Sequence, residues 1–561
     1  MLRSLHRGDE YLTDRRGELP NDMIENTWAR YVFIRLCIYG LRGVAPLSIT
    51  CCCAQAVQYI INPDRPYRLL FALEIRLAAE TIFFIPMYLR HRLSLQAQAQ
   101  HPPPPSKGDR QALFKRCAET VNDPEHYLRL WFLGAPTANI KRLNVKEFYL
   151  WSFFNKGGLP GEDNSELDQY VTATEDMLGR EIEPGRGEAE CLRLTIDRVH
   201  TMHRPLLWYL IVGFVDTITF CRLRYYGFQF SRTSLSSLLK LFPMRPVALL
   251  AQHRSPAAGL SYWYRPHTSS NELPVLFIHG IGIGLHPYLD FLADLNRASG
   301  TSDRRTRKPN EQIGIIALEI MPISFRLTSP IPTKDELCTQ IQCILAYHGW
   351  ADHTLVSHSY GTAISTYLLK DPRTSPQINS LVLIDPITFL LHLPDVAYNF
   401  TRRQPLQANE HQLYYFASMD PGVAHSLGRT FFWSECILWK EELEGRRVTV
   451  SLAERDLIVN TDAVKRYLAG DSSEQCEADG YSDDIPSDTH PEESLLNWEA
   501  VRSYAFVSSS SRVLWRAKPW RGKGLDVMWH QDTDHAQVFE SRDKYGRLIE
   551  IIREYCRTRE P

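Results

Sequence analysis

The stretch that decides the fold is residues 354–370, which read TLVSHSYGTAISTYLLK. An apolar strand pattern comes first, a helical pattern ends it, and Ser359 lies at the junction. Small residues stand two positions before and after this serine, Ser357 and Gly361. A strained strand-to-helix turn that holds a reactive serine needs such small neighbours, because larger side chains would clash. Ser357 takes the place of the more usual glycine, and the pattern still predicts that Ser359 is a nucleophile.

Strands and helices alternate around this turn, from residue 273 to the C-terminus. Strands are predicted over 274–278, 314–319, 354–356, 380–384, 447–452 and 525–529. Helices are predicted over 288–298, 334–347, 360–369, 461–468 and 543–557. Continuous apolar strands separated by helices indicate a mostly parallel sheet with helices on both faces. Functional side chains are then expected at the carboxyl ends of the strands.

A glycine-rich loop, HGIGIG at residues 279–284, follows the first of these strands. A dinucleotide-binding loop would need a glycine where Leu285 stands, so that interpretation fails. Small residues instead let the backbone approach a substrate carbonyl, and we expect the amides of Ile281 and Tyr360 to form an oxyanion hole. Supporting roles in this loop are assigned to His279, Gly280 and Gly282.

A serine nucleophile needs a histidine to accept its proton and an acid to orient that histidine. Asp456 follows the strand at 447–452, and His535 lies in the loop after the strand at 525–529. The order Ser359, Asp456, His535 is the one expected on this architecture. Two alternatives stay open, because Asp385 also follows a strand and His530 lies at a strand end.

The motifs HGIGIG, SHSYG, ERDLIV and DHAQVF together resemble those of the α/β-hydrolase superfamily, in the branch of large fungal-type hydrolases with a long N-terminal helical extension. The resemblance covers roughly residues 245–557. It implies an eight-stranded, mostly parallel sheet with helices on both faces, a Ser-His-Asp triad, ester or related acyl hydrolysis, and no metal or organic cofactor.

The chain divides into four parts on composition. They are apolar N-terminal helices at 1–95, a Pro-rich linker at 96–110, an all-helical extension at 111–244, and a catalytic domain at 245–561 with a helical cap at 386–445 and an acidic loop at 471–493. The cap is rich in aromatic residues, which suits an apolar small-molecule or lipid-like ester substrate. The acidic loop is predicted to be disordered.

Residues 43–61, GVAPLSITCCCAQAVQYII, are 19 residues without a charge. This length is enough to span a bilayer, so association with a membrane is one expectation. Residues 69–89 predict an amphipathic helix, and 205–215 form a shorter apolar run. Burial of all three inside a helical domain is the other expectation, and the sequence leaves both open.

Composition excludes several partners and compartments. The chain has 561 residues, a formal net charge of −2 and 12 cysteines. A near-neutral chain without a basic, aromatic patch is not expected to bind nucleic acid. The absence of a Cys-x-x-Cys pair argues against a disulfide scaffold or a zinc ribbon, and the polar, Arg-rich start argues against secretion. An intracellular, membrane-associated or cytoplasmic protein is expected.

The resulting hypothesis is a serine hydrolase of the esterase or lipase type. The same triad would also support acyl transfer to an alcohol or thiol. An inactive hydrolase fold that serves as a scaffold is a further alternative.

Overall fold

The computed structural model describes residues 27–62, 71–85, 89–297, 308, 310–469 and 524–557, so the predicted acidic loop at 471–493 lies outside the described residues. The helices are α1 (Trp28–Ile61), α2 (Phe71–Phe83), α3 (Leu89–Leu95), α4 (Lys107–Ala118), α5 (Pro124–Trp131), α6 (Arg142–Phe154), α7 (Asn164–Leu178), α8 (Leu206–Tyr225), α9 (Leu235–Leu239), α10 (Leu289–Asp294), α11 (Lys334–Tyr347), α12 (Gly361–Lys370), α13 (Asp395–Thr401), α14 (Ala408–Gln412), α15 (Pro421–Arg429), α16 (Trp433–Cys436), α17 (Thr461–Ala469) and α18 (Arg542–Cys556). The strands are β1 (Gln229–Arg232), β2 (His253–Arg254), β3 (Ser261–Arg265), β4 (Val275–Ile278), β5 (Ile315–Glu319), β6 (His353–His358), β7 (Ile378–Ile384), β8 (Arg447–Ala453) and β9 (Gly524–His530).

The described strands form one sheet of nine, in the order β2-β1-β3-β5-β4-β6-β7-β8-β9. The six strands from β5 to β9 in this order run parallel, and β3 pairs antiparallel with both β1 and β5. The predicted α/β fold with a mostly parallel sheet is confirmed. The predicted number of eight strands is wrong for the described residues, because β1 and β2 extend the antiparallel edge.

Alternate residues of the central strands, from β4 to β7, enter two separate cores. Leu276 and Ile278 of β4 pack into one core, whereas Val275 and Phe277 pack into the other. All four side chains are buried. Burial on both faces explains why the central strands are continuously apolar instead of alternating. The carboxyl ends of these strands meet at one edge, and that edge carries the site.

The region predicted as an all-helical extension, 111–244, contributes the strand β1 to the sheet. The prediction missed β1 because its sequence, QFSR, is short and three of its four residues are polar. The helices of this region also share the larger core with the cap and the sheet. Its central helix, α6, is buried along residues 144–154, so the extension forms part of the wall around the site.

The segment predicted as a linker, 96–110, packs against the protein and ends earlier than expected. The helix α4 begins at Lys107, and the Ser106 side chain caps it by accepting from the Asp109 amide. Gln96 donates to the backbone oxygen of Val199 at 2.9 Å, and the imidazole of His101 lies 2.9 Å from Thr195 Oγ1. The Pro-rich composition therefore gives an extended chain that is held at several points.

Two described helices, α1 and α8, are long and apolar enough to cross a membrane. The helix α1 contains the uncharged run 43–61 in its C-terminal half and is about 50 Å long. The helix α8 extends ten residues beyond the predicted run 205–215. Asp216 ends the apolar run in the sequence, but its side chain is buried and paired with Arg245, so the helix continues past it. The predicted amphipathic helix at 69–89 is α2 followed by the start of α3.

Candidate active site

Ser359 lies in the turn between β6 and α12 with a φ of 51°, a left-handed conformation that is costly for a residue other than glycine. Its amide donates to the backbone oxygen of Ile384 at 3.0 Å, which fixes the turn. Gly361 has to be a glycine, because a Cβ there would come within 2.5 Å of the Ile278 oxygen. Ser357 is buried and accepts a hydrogen bond from Ser365 at 2.7 Å, so its hydroxyl is satisfied inside the turn.

The structure brings Ser359, His535 and Asp456 into one hydrogen-bonded chain. His535 Nε2 lies 2.8 Å from Ser359 Oγ, and His535 Nδ1 lies 2.7 Å from Asp456 Oδ2. The other carboxylate oxygen of Asp456 accepts from the amides of Ile458 at 2.7 Å and Val459 at 2.9 Å. These bonds orient the carboxylate toward the histidine, and the histidine toward the serine.

The surroundings of His535 favour its protonated form. Burial alone would lower its pKa, but the negative charges of Asp456, Asp385 and Asp534 outweigh burial and raise the pKa to about 9. The carboxylates around His535 therefore stabilise its imidazolium form.

The alternative acid, Asp385, contacts a different part of the histidine loop. Its Oδ2 atom accepts from the Ala536 amide at 2.8 Å and lies 3.5 Å from His358 Nε2. Burial would raise the pKa of Asp385, but the contact with His358 and the charge of His535 hold it below the usual value. Asp385 thus holds the backbone of the loop, whereas Asp456 contacts the imidazole.

The alternative base, His530, is not hydrogen-bonded to Ser359. It ends β9, and its backbone oxygen accepts from the amide of Glu454 and the hydroxyl of Thr533. Burial lowers the pKa of its imidazole. The backbone of His530 thus supports the turn that leads to His535.

The two backbone amides predicted as an oxyanion hole border the same cavity as the serine. Ile281, Ser359 and Tyr360 all line this cavity. Among the described residues, neither the Ile281 amide nor the Tyr360 amide donates a hydrogen bond within the protein, whereas the next amide, that of Gly282, donates to Ile323 at 3.1 Å. The two amides are therefore available to a ligand atom near Ser359.

His279 and Gly280 support this loop from behind. His279 Nε2 accepts from the Ile320 amide at 3.0 Å, and its Nδ1 donates to the Gly280 oxygen at 2.7 Å. Burial lowers the pKa of His279 to about 4, so it is neutral in this role. A Cβ on Gly280 would lie 2.7 Å from Ser359 Cβ, and only glycine allows the loop to come so close to the serine.

Two further residues of the site were missed in the sequence. The Asp534 carboxylate accepts from the amides of His535 at 2.7 Å and Leu457 at 3.0 Å, and from Asn409 of the cap at 3.0 Å. His358 Nδ1 lies 2.8 Å from the hydroxyl of Tyr288, which also accepts from the Gly280 amide. Asp534 thus joins the histidine loop, the acid loop and the cap, but the only local signal was its place beside His535.

An apolar cavity of about 800 Å³ opens at Ser359 between the cap and the helices of the extension. None of its lining residues is Asp, Glu, Lys, Arg or His. Aromatic side chains from both parts form much of the wall: Trp131, Trp151, Tyr360, Phe400, Phe431, Phe432 and Trp433. No group of three or more His, Cys, Asp or Glu side chains among the described residues is arranged to hold a metal ion.

The sheet order, the serine turn after β6 and the partner loops after β8 and β9 define an α/β-hydrolase fold.

No family model matches the sequence, and no curated protein matches it. Solved structures match at low identity. A membrane phospholipase A described as a bacterial virulence factor is 13% identical with a TM-score of 0.33, over 62% of this chain and 94% of that one. The carboxylesterase CesB from Bacillus subtilis is 12% identical with a TM-score of 0.29, over 52% and 87%. The 2-hydroxy-6-oxo-6-phenylhexa-2,4-dienoate hydrolase from Rhodococcus sp. strain RHA1 is 11% identical with a TM-score of 0.30, over 52% and 94%.

Proposed function

We propose that the protein is a serine hydrolase that cleaves a carboxylic ester with a large apolar group. The observation that carries the proposal is the hydrogen-bonded chain from Asp456 through His535 to Ser359, which ends in an uncharged cavity. A buried serine that only stabilises a turn needs neither a histidine oriented by a carboxylate nor two unused amides beside it.

The reaction follows from the geometry. Ser359 Oγ attacks the ester carbonyl carbon while its proton passes to Nε2 of His535. The carbonyl π electrons move to oxygen, and the amides of Ile281 and Tyr360 stabilise this oxyanion. The intermediate collapses, the bond to the alcohol oxygen breaks, and His535 gives its proton to the leaving alkoxide. A water molecule then attacks the acyl-serine by the same steps and releases the acid and Ser359.

The cavity supports an ester with an apolar chain as the substrate. Recognition of a charged peptide side chain or headgroup inside the cavity would require an opposite charge on the wall, and the lining has none. Apolar walls with few polar groups bind ligands mainly by excluding water.

The test of this function is ester hydrolysis by the full chain, measured as release of the acid from p-nitrophenyl butyrate. We expect Ser359→Ala to lower kcat/KM by about 10³-fold or more. The matched control is Ser236→Ala in the exposed part of α9, which leaves the rate unchanged. Undiminished hydrolysis in Ser359→Ala would refute the proposed function.

Membrane association is a second part of the proposal, and α1 supports it. The N-terminal half of α1 packs on the cap, where Ile34 and Ile38 share a small core with Ala408 and Tyr415. The C-terminal half exposes large apolar side chains, and only 11% of the most apolar window of α1 is buried, against 39% for α8. The exposed set in this half includes Leu47, Val57, Tyr59, Ile60 and Ile61. Contact with a lipid surface buries such apolar side chains without removing polar groups from water.

The membrane proposal is tested by cell fractionation of the full chain. Two arginines in the exposed half of α1, Val57→Arg with Ile60→Arg, should move the protein from the membrane fraction to the soluble fraction. The control places two arginines on an exposed polar helix face, Ser165→Arg with Thr172→Arg in α7. Equal distribution of both variants would contradict this part of the proposal.

A further inference from the structure

A second cavity of about 710 Å³ lies in the N-terminal helical extension, away from the triad. Residues of α4, α5, α6 and α7 and the loop before α13 line it. None of the residues that carry the proposed reaction lines this cavity.

Three tryptophans line both cavities: Trp131, Trp151 and Trp433. Each indole N–H already donates within the protein, to the His392 oxygen at 3.3 Å, to Thr195 Oγ1 at 2.9 Å and to the Ser152 oxygen at 2.9 Å respectively. The indoles therefore offer ring carbons to both spaces, with no polar hydrogen left to satisfy. Such a boundary favours a hydrocarbon on both sides.

The distal end of the second cavity is also uncharged. Phe114, Ala118, Val121 and Met177 form part of it, and two hydroxyl groups of the lining, those of Thr174 and Tyr149, bond to each other at 2.6 Å. Burial lowers the pKa of His392 to about 3, so this histidine is neutral. Burial likewise raises the pKa of Cys117, which keeps the thiol unreactive. No Asp, Glu, Lys or Arg side chain lines this cavity.

The second cavity shares the side chains of Trp131, Trp151 and Trp433 with the cavity at Ser359, so the two spaces are adjacent. Only a chain that extends beyond the cavity at Ser359 would use the additional apolar room.

We infer that the second cavity binds the distal part of a long hydrocarbon chain on the ester substrate, with the three tryptophans contacting the middle of the chain. The inference rests on the proposed function and specifies its substrate class as long-chain esters. The ester carbonyl lies at Ser359, and the chain runs past Trp131 and Trp151 into the helical extension. The helical extension thereby determines which chain lengths of the substrate are preferred.

The test compares Ala118→Trp, which fills the distal cavity, with Ala112→Trp on the exposed side of the same helix, α4. The substrates are p-nitrophenyl esters of acids with four to sixteen carbons, and acetates of straight-chain alcohols if the chain lies on the alcohol side. We expect Ala118→Trp to lower kcat/KM by about 10–100-fold for the longest chains and to leave the four-carbon ester unchanged, because burial of each methylene contributes to binding. Ala112→Trp should keep the wild-type profile.

A second variant tests the same cavity independently of whether Ala118→Trp folds. Met177→Ala enlarges the same cavity and should shift the preference toward longer chains. Parallel chain-length profiles in wild type, Ala118→Trp and Met177→Ala, with short esters still hydrolysed, would overturn the inference and leave the proposed function intact. Absence of hydrolysis for every ester by folded wild-type protein would overturn the proposed function itself.

Discussion

Asp456 Oδ2 lies 2.7 Å from Nδ1 of His535, although the two residues are 79 positions apart in the chain. The adjacent parallel strands β8 and β9 bring them together, because each residue lies in the loop just after its strand. The contact places a fully buried carboxylate against the imidazole on the side away from Ser359.

The first prediction separates the two candidate acids. Asp456→Asn cannot hold the imidazole in the required tautomer, so we expect kcat to fall by about 10⁴-fold. Asp385→Asn keeps an oxygen for the Ala536 amide, and we expect a loss of about tenfold or less. Steady-state hydrolysis of a short ester measures both. A larger fall in kcat for Asp385→Asn than for Asp456→Asn would assign the acid role to Asp385.

The second prediction concerns pH. His535 must be neutral to accept the proton of Ser359, and its pKa is raised to about 9. The value of kcat/KM should therefore rise with pH and reach half its maximum near pH 9. Loss of the carboxylate in Asp456→Asn should move this midpoint down toward the ordinary histidine value. A wild-type midpoint below about pH 7 would contradict the electrostatic account.

The third prediction compares two glycines of the oxyanion loop. In Gly280→Ala the new methyl would lie 2.7 Å from both His358 Nδ1 and Ser359 Cβ, so the loop has to move away from the serine. We expect a loss of about 10²–10³ in kcat. The sequence also assigned a supporting role to Gly282, but a Cβ there would meet nothing within 4 Å, so Gly282→Ala serves as the control with a rate close to wild type. Similar rates for the two variants would show that the loop position does not matter.

The fourth prediction concerns Asp534. Asp534→Ala leaves the amides of His535 and Leu457 without their acceptor, and it frees the loop from Asn409 of the cap. We expect a loss of about 1–3 kcal/mol in unfolding free energy together with a fall in kcat. Asp534→Asn retains an acceptor oxygen and should recover most of both. If Asn rescues neither property, the hydrogen bonds are not the cause. Chemical denaturation and ester hydrolysis measure the two effects.

The fifth prediction tests how α8 is held. Asp216 pairs with Arg245 at 2.6 Å and Arg326 at 2.8 Å, all three buried. Arg245 keeps Glu319 at 2.7 Å, but Asp216→Ala leaves the buried Arg326 without its carboxylate and should cost about 3–5 kcal/mol. The pair of Arg222 with Asp290 joins the same helix to α10 at the surface, so Asp290→Ala should cost less than about 1 kcal/mol. Equal midpoints of urea unfolding for Asp216→Ala and Asp290→Ala would contradict this difference in stability.

Local patterns predicted much of the fold. The helix Lys334–Tyr347 and the serine turn at Ser359 follow from caps, small residues and apolar runs, which act within a few positions. The order of strands then placed Asp456 and His535 at the same edge. These features depend on sequence neighbours or on the general rule that parallel strands end together.

The contacts that the sequence did not predict join distant parts of the chain. Asp534 meets Asn409 across 125 positions, and Asp216 ends an apolar run in the sequence yet lies buried beside two arginines. The strand β1 is polar and short, and its pairing with β2 and β3 makes it a strand. No local pattern encodes such long-range partners.

The most direct measurement is the site of covalent labelling by a fluorophosphonate, determined by intact mass and peptide mapping of the full chain. We expect one adduct, on Ser359, which is absent from Ser359→Ala and forms far more slowly in His535→Ala. Undiminished labelling of Ser359→Ala, or no labelling of folded wild-type protein, would contradict the central claim that Ser359 is an activated nucleophile.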